Sequence, residues 1–227
     1  MMMKNIECVA FDCDGVMFDT AQANRIYYSS VLQHFGRPAL SEDQFRYVHM
    51  HTVHESMAYL FPDANTLEAA HEFRKTMDYR KYLSYMTVEP HLVSLLEKLR
   101  PQIKTAIATN RTDTMEQLLA QFELDGYFDL IVTSSDVEKP KPHPDELFKI
   151  LEYFNLAPHQ VVYIGDSQVD ELAARAAKIP LVAYRNQQLD AEYHIDSLGE
   201  LEELLNLWEE SINIIRDPDK QEHQRIN

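Results

Sequence analysis

Short apolar runs recur along this chain, at residues 6–12, 105–109, 130–134, 161–165 and 181–184. Each is only a few residues long and apolar on alternate and adjacent positions alike. That is the mark of a strand buried on both faces of a parallel sheet. Between the last four runs the period changes to that of a helix. Residues 112–122 place Met115, Leu118, Leu119 and Phe122 on one face, and residues 145–154 follow Pro144 with Leu147, Phe148, Ile150 and Leu151. Residues 168–177 are rich in alanine, which lets a helix lie close to a sheet. Strand–helix alternation of this kind predicts an α/β fold, a doubly wound parallel sheet of Rossmann-like layout.

The stretch between the first two strands breaks the rhythm. About ninety residues separate Asp12 from Thr105, where a single helix would suffice. Helical signals fill it: residues 21–35 ending near Gly36, a capping-box sequence Ser41-Glu42-Asp43-Gln44, and a long helix opening at Asn65 or Thr66 and running towards Tyr85. This predicts a small all-α domain at residues 21–85, inserted after the first strand of a core formed by 1–20 and 86–227. Hinges are expected near residues 18–20 and 86–90. Near the end, Leu204, Leu205, Trp208 and Ile212 read as the buried face of a last helix, and the polar residues 216–227 as a frayed tail.

Composition narrows the functional classes. Apolar residues make up 45% of the chain, enough for a real core, and the net charge is −16. Such acidity argues against nucleic acid and against anionic membrane surfaces as partners. Cys8 and Cys13 are the only cysteines and lie on one strand and its end, where mutual bonding is geometrically unfavourable. With no signal-peptide pattern at residues 1–5 and no apolar run of membrane-spanning length, the expected location is the cytoplasm.

Open α/β sheets bind ligands beyond the carboxyl ends of their strands, and here those ends carry unusual residues. The first ends in Asp12-Cys13-Asp14-Gly15; the fourth in Gly165-Asp166-Ser167-Gln168-Val169-Asp170. The plain alternatives are an Asp-Gly turn and a helix cap. Clustered carboxylates need a counter-charge, and an all-oxygen set suits a hard cation, magnesium before calcium. The second strand ends in Thr109-Asn110, which offer hydrogen bonds to phosphoryl oxygens or simply begin a helix. After the third comes Glu138-Lys139-Pro140-Lys141-Pro142-His143-Pro144, a stiffened loop that either aims a lysine or merely connects. Together the loops place a nucleophile, an acid/base, a metal site and phosphate anchors on one sheet edge.

In order and spacing these residues resemble the haloacid dehalogenase superfamily, in its phosphatase branch. Asp12 and Asp14 match its Asp-x-Asp-Gly motif, Thr109 its second-strand hydroxyl, Lys141 (rather than Lys139) its lysine, and Asp166 and Asp170 its fourth motif. Phosphoglycolate phosphatases and β-phosphoglucomutases look most similar in layout, and the insert matches the position of their helical cap. The resemblance implies that Asp12 is the nucleophile that becomes an aspartyl-phosphate, and Asp14 the acid and base. It implies that Mg2+ is held by Asp12, the Asp14 carbonyl and Asp166, with Asp170 orienting the shell. Thr109, Asn110 and Lys141 would then grip the phosphoryl group beside Gly15. The aspartate at position 14 favours oxygen-linked phosphate esters over halides or phosphonates. The substrate expected is a small phosphorylated metabolite. A phosphomutase, which releases phosphate only slowly, is the alternative; a non-catalytic regulatory protein on the same fold is a further one. Other conspicuous groups are weaker pointers: His49, His51 and His54 as a zinc site, and Arg46, Arg74, Lys75, Arg80 and Lys81 as substrate contacts from the insert.

Overall fold

A computed structural model describes residue 3 and residues 5–205. Six parallel strands form the central sheet. They are β1 (Cys8–Phe11), β4 (Lys104–Thr109), β5 (Leu130–Thr133), β6 (Val161–Gly165), β7 (Leu181–Tyr184) and β8 (Tyr193–Ile195). Their spatial order is β5-β4-β1-β6-β7-β8. β1 lies at the centre, with Phe11 in register with Ile107 on one side and Ile164 on the other. The chain reaches β4 and β6 in opposite directions across the sheet, so the crevice where a ligand belongs opens at the tip of β1.

Period-two alternation sorts the strand residues between two apolar layers. Val9, Phe11, Ile107, Val162, Ile164, Val182 and Tyr184 face one layer with α6 (Leu92–Leu99) and α7 (Met115–Gln121). Cys8, Ala10, Ala106, Ala108, Tyr163, Leu181 and Ala183 face the other, with α8 (Asp145–Phe154) and α9 (Gln168–Ala177). Alanines dominate that second face on both strands and helix, so α9 brings Ala173, Ala174 and Ala177 directly onto the sheet. The bounds of α8, α9, β6 and β7 coincide with those expected from the sequence. β8 and α6 go beyond that expectation, although Leu92, Leu95, Leu96 and Leu99 stand at helical spacing and are all buried. The short α10 (Glu200–Leu204) closes the described chain. Of the expected last helix, Leu204 and Leu205 pack on the first layer, while Trp208, Ile212 and the tail 216–227 lie outside the described residues.

Between β1 and β4 the chain crosses outward and back through a two-stranded antiparallel ribbon, β2 (Phe18–Asp19) with β3 (Thr87–Val88). Beyond it lie α1 (Ala21–His34), α2 (Glu42–Met50), α3 (Val53–Leu60), α4 (Ala64–Lys75) and α5 (Arg80–Leu83). Most of their buried residues, among them Tyr28, Val31, Met57, Leu60 and Phe61, form a third apolar cluster, while Ala23 of α1 and Leu83 of α5 pack into the first layer. Ser41 caps α2 through the expected reciprocal box with Gln44. The single long helix expected from residues 65–66 to Tyr85 is instead two. Asp63, not Asn65 or Thr66, caps the start of α4, its carboxylate accepting from the Thr66 N–H at 3.0 Å. At the other end the Thr76 hydroxyl donates back to the Phe73 carbonyl at 2.7 Å, and Asp78 accepts from the Arg80 N–H at 3.2 Å. These side chains compete with the helical backbone bonds and divide the segment.

Candidate active site

Strand β1 ends at Phe11, and the next residue emerges at the carboxyl edge. The Asp12 N–H still donates to the Ile164 carbonyl at 2.9 Å, which fixes the residue to the sheet. Its carboxylate turns to Lys141, whose Nζ donates to Oδ1 at 2.7 Å. Lys141 comes from the proline-stiffened loop before α8 and is 1% exposed. It also donates to Asp170 at 2.7 Å, to the Tyr163 hydroxyl at 2.8 Å and to the Ala108 carbonyl at 3.1 Å. Burial alone would lower its pKa; the Asp12 and Asp170 carboxylates together drive it far above the ordinary lysine value. Burial raises the Asp12 carboxyl to about 7 against the pull of Lys141. The neighbouring candidate, Lys139, stays exposed, its backbone N–H bonded to Asp145.

Asp166 and Asp170 take different parts. Both oxygens of Asp170 are occupied, Oδ1 by Lys141 and the Tyr163 hydroxyl, Oδ2 by the N–H and hydroxyl of Ser167. The Asp166 side chain accepts no hydrogen bond among the described residues, although its carbonyl accepts from Asn186 at 2.7 Å. Burial, then the charges of Asp170 and Asp12, push its pKa well above the usual carboxylate range. Asp12, Asp166 and Asp170 each place a carboxylate oxygen within 4.8 Å of the others. An unpaired carboxylate facing two more is a site short of positive charge. Its oxygen donors fit a hard divalent metal. Two glycines make room for it. A Cβ on Gly15 would lie 2.0 Å from Asp166 Oδ2, and one on Gly165 2.4 Å from the Asp170 Cβ.

Asp14 meets a partner that the sequence did not single out. Arg111 donates from Nε to Oδ2 at 2.6 Å and from Nη2 to Oδ1 at 2.8 Å. Burial would raise the Asp14 carboxyl, but this guanidinium overcomes burial and holds it below the usual range. Arg111 also donates to the Tyr79 hydroxyl of the insert at 2.6 Å. Its place directly after Thr109-Asn110 at a strand tip was the available signal. Thr109 is buried at the end of β4, its hydroxyl accepting from the Arg111 N–H at 3.2 Å. Asn110 follows it on the cavity wall. Its amide donates to the Lys141 carbonyl at 3.1 Å and to the Met50 carbonyl at 3.0 Å, so it bridges the lysine loop and the end of α2.

The three histidines of the insert, a weak pointer in the sequence, do not converge. His49 meets Asn24 at 3.0 Å, His51 stacks on Tyr47, and His54 lies beside His71. No helix among the described residues is long and apolar enough to cross a membrane. A cavity of about 400 Å³ lies between the sheet edge and the insert, lined by Asp12, Asp14, Thr109, Lys141 and Asp166 on one side and by Tyr28, His49, Arg74 and Tyr79 on the other.

Comparison with known proteins agrees with this arrangement. A phosphoglycolate phosphatase of Photorhabdus laumondii is 28% identical, over 80% of this chain and 81% of its own. The crystal structure of a haloacid dehalogenase-superfamily hydrolase, subfamily IA, from Geobacter sulfurreducens is 38% identical. It superposes with a TM-score of 0.73 over 88% of this chain and 97% of its own. A β-phosphoglucomutase from Clostridium difficile, 20% identical, has the same fold at a TM-score of 0.78, over 91% and 99% of the two chains. The sequence model of the haloacid dehalogenase-like hydrolase family matches residues 9–184. With the acidic strand tips, the buried lysine and the matched sequence all in agreement, the chain belongs to the haloacid dehalogenase-like hydrolases.

Proposed function

We propose that the protein is a magnesium-dependent phosphatase that hydrolyses a small phosphomonoester through an aspartyl-phosphate on Asp12. The observation that carries this reading is the contact of Asp12 with the buried ammonium of Lys141 at 2.7 Å, beside the unpaired carboxylate of Asp166, at the floor of the cavity. Phosphoryl transfer needs an in-line nucleophile and positive charge around the equatorial oxygens. Asp12 supplies the first. Lys141 and the Thr109 hydroxyl supply contacts for the second. Asp12, Asp166 and the Asp14 carbonyl are the groups assigned to magnesium, with Asp170 fixing Lys141 and the Ser167 turn. When bound, magnesium contributes charge neutralisation at this all-oxygen site.

An Asp12 oxygen attacks phosphorus as the ester P–O bond breaks, and the leaving oxygen takes a proton from Asp14. Water then attacks the acyl-phosphate, giving its proton to Asp14 and releasing inorganic phosphate and free Asp12. The two layers and the sheet make up the catalytic core, with helices α1–α5 a separate cap domain that shields the reaction from water. The relatives named phosphoglycolate phosphatase support a small metabolite as substrate, and the buried free thiols of Cys8 and Cys13 support a reducing cytoplasm.

The test is Asp12→Asn. Steady phosphate release with magnesium is expected from the natural protein and none above background from the variant, with circular dichroism unchanged. Hydrolysis surviving in Asp12→Asn removes the nucleophile assignment. Rapid release of the alcohol with only slow release of phosphate would mark a mutase instead.

A further inference from the structure

Two arginines in the cavity lack an obvious use. Arg111 is buried, and its bidentate contact covers both oxygens of Asp14. Arg74, on the last turn of α4, has a side chain only 15% exposed. Its Nε is buried and has no hydrogen-bond partner. Its Nη1 lies 3.9 Å from the exposed Asp113, too long for a hydrogen bond, and the guanidinium stands beside the buried Tyr27. Tyr27 packs on Tyr79, whose hydroxyl accepts from Arg111, so one aromatic wall links the two guanidinium groups.

This creates a conflict and suggests its resolution. A carboxylate with both oxygens held by a guanidinium offers nothing to a leaving oxygen. Asp14 must be uncovered before it can serve the reaction. A guanidinium exchanges one oxyanion for another when the second offers equivalent bidentate geometry. A buried guanidinium N–H without an acceptor provides a further place to bind one. In a chain of net charge −16, these two groups are positive charge kept inside the site. The other cationic residues of the insert facing the cavity are already neutralised, Lys75 by Glu72 and Arg80 by Asp78.

We propose that Arg111 is a latch on Asp14, released when a second oxyanion on the phosphomonoester, received jointly with Arg74, draws the guanidinium away. Arg111 is then a positioning residue that makes turnover depend on the substrate's far end. The inference rests on the phosphatase reading above and narrows its substrates to esters bearing a carboxylate or second phosphate. Plain alcohol phosphates leave the latch closed.

A matched set of esters tests this: ethyl phosphate, phosphoglycolate and ethylene glycol bisphosphate. They differ chiefly in the group at the far carbon. The natural protein is expected to show kcat/KM at least tenfold higher for one of the two acidic esters than for ethyl phosphate, and which one identifies the oxyanion. Added acetate or inorganic phosphate is expected to activate ethyl phosphate turnover by releasing the latch. Arg111→Gln is expected to raise kcat on ethyl phosphate while lowering the acidic preference at least tenfold. Arg74→Gln is expected to lower the preference through KM for the acidic ester. A merely structural arginine lowers all three activities alike. Equal kcat/KM for the three esters, or added anions that only inhibit, overturns the latch while leaving a phosphatase in place. If no phosphate ester, including para-nitrophenyl phosphate, is hydrolysed with magnesium, the phosphatase reading falls and the latch with it.

Discussion

Glu146 is an acid kept where no water reaches it. It sits on the first turn of α8, fully buried, with one oxygen accepting from the Lys141 N–H at 3.3 Å and the other without a partner. Burial raises its pKa from the ordinary 4.5 to about 7, although the Lys141 charge opposes the rise. The folded protein therefore binds this proton more tightly than the unfolded chain. Its contribution to stability is fully present below pH 4.5 and is lost as pH rises towards 7, with no further change above. Glu146→Gln, neutral throughout, removes that slope. Urea unfolding is expected to show the variant more stable by up to about 3 kcal/mol at pH 8, and little different at pH 4.5. Identical pH slopes for the two proteins would sink the argument. Glu146 was invisible in the sequence because nothing in Pro144-Asp145-Glu146 distinguishes an exposed acid of a first helical turn from a buried one. Asp12, Asp14 and Asp166 were legible because strand ends announce themselves by periodicity, and the topology then brings strand ends together; Lys141 lies in the loop beyond β5 and was selected over Lys139 by the family resemblance. Arg111 escaped for the opposite reason: a lone arginine after a strand has many uses, and only its distance to Asp14 selects one.

At the scale of elements, the loop after β1 shows how backbone and charge depend on each other. Gly15 has φ +86° and its missing side chain is the space occupied by Asp166 Oδ2. Gly126 has φ +78° with nothing within 4 Å of the position a Cβ would take. The two positions separate strain from steric cost. Gly126→Ala is expected to cost about 1 kcal/mol from its left-handed backbone alone. Gly15→Ala carries the same strain and must also displace Asp166. Millimolar magnesium is expected to raise the melting temperature of the natural protein; Gly15→Ala is expected to lose that rise, while Gly126→Ala keeps it. Differential scanning fluorimetry with and without magnesium reads both. An unaltered magnesium response in Gly15→Ala would show that the Gly15–Asp166 approach has no part in metal binding. The expected helices matched where apolar spacing was long and uninterrupted, as in α8 and α9. The division of α4 from α5 was not legible, because Thr76 and Asp78 act through local hydrogen bonds that an apolar pattern does not register.

Among the described residues the apolar clusters of the sheet and of the insert meet along a seam, where Ala23 and Leu83 of the insert pack with the sheet layer and Tyr79 and Tyr82 touch both. The sheet and its helices share the layers on either side of β1, while α1–α5 pack around Val31, Met57, Leu60 and Phe61. The chain passes between them through the ribbon of Phe18–Asp19 with Thr87–Val88. Contacts made by single side chains, Asn110 to Met50 and Arg111 to Tyr79, are the main polar links across the cavity. If the proposed cap is a separate cooperative unit, a defect in its core should stay local. Met57 is fully buried, and Met57→Ala is expected to cost about 2–5 kcal/mol. Most of that loss falls on the cap when the ribbon, the Ala23 and Leu83 contacts and a few polar side chains are what couple it to the sheet. Native-state hydrogen exchange is therefore expected to accelerate at amides of α1–α4 in the variant, by tenfold or more, with protection of β1, β4 and β6 retained. Equal loss of protection in sheet and insert would make the chain one cooperative unit. Closure of the insert would then require deforming the sheet's own packing, and a cap that swings on its ribbon would no longer describe the molecule.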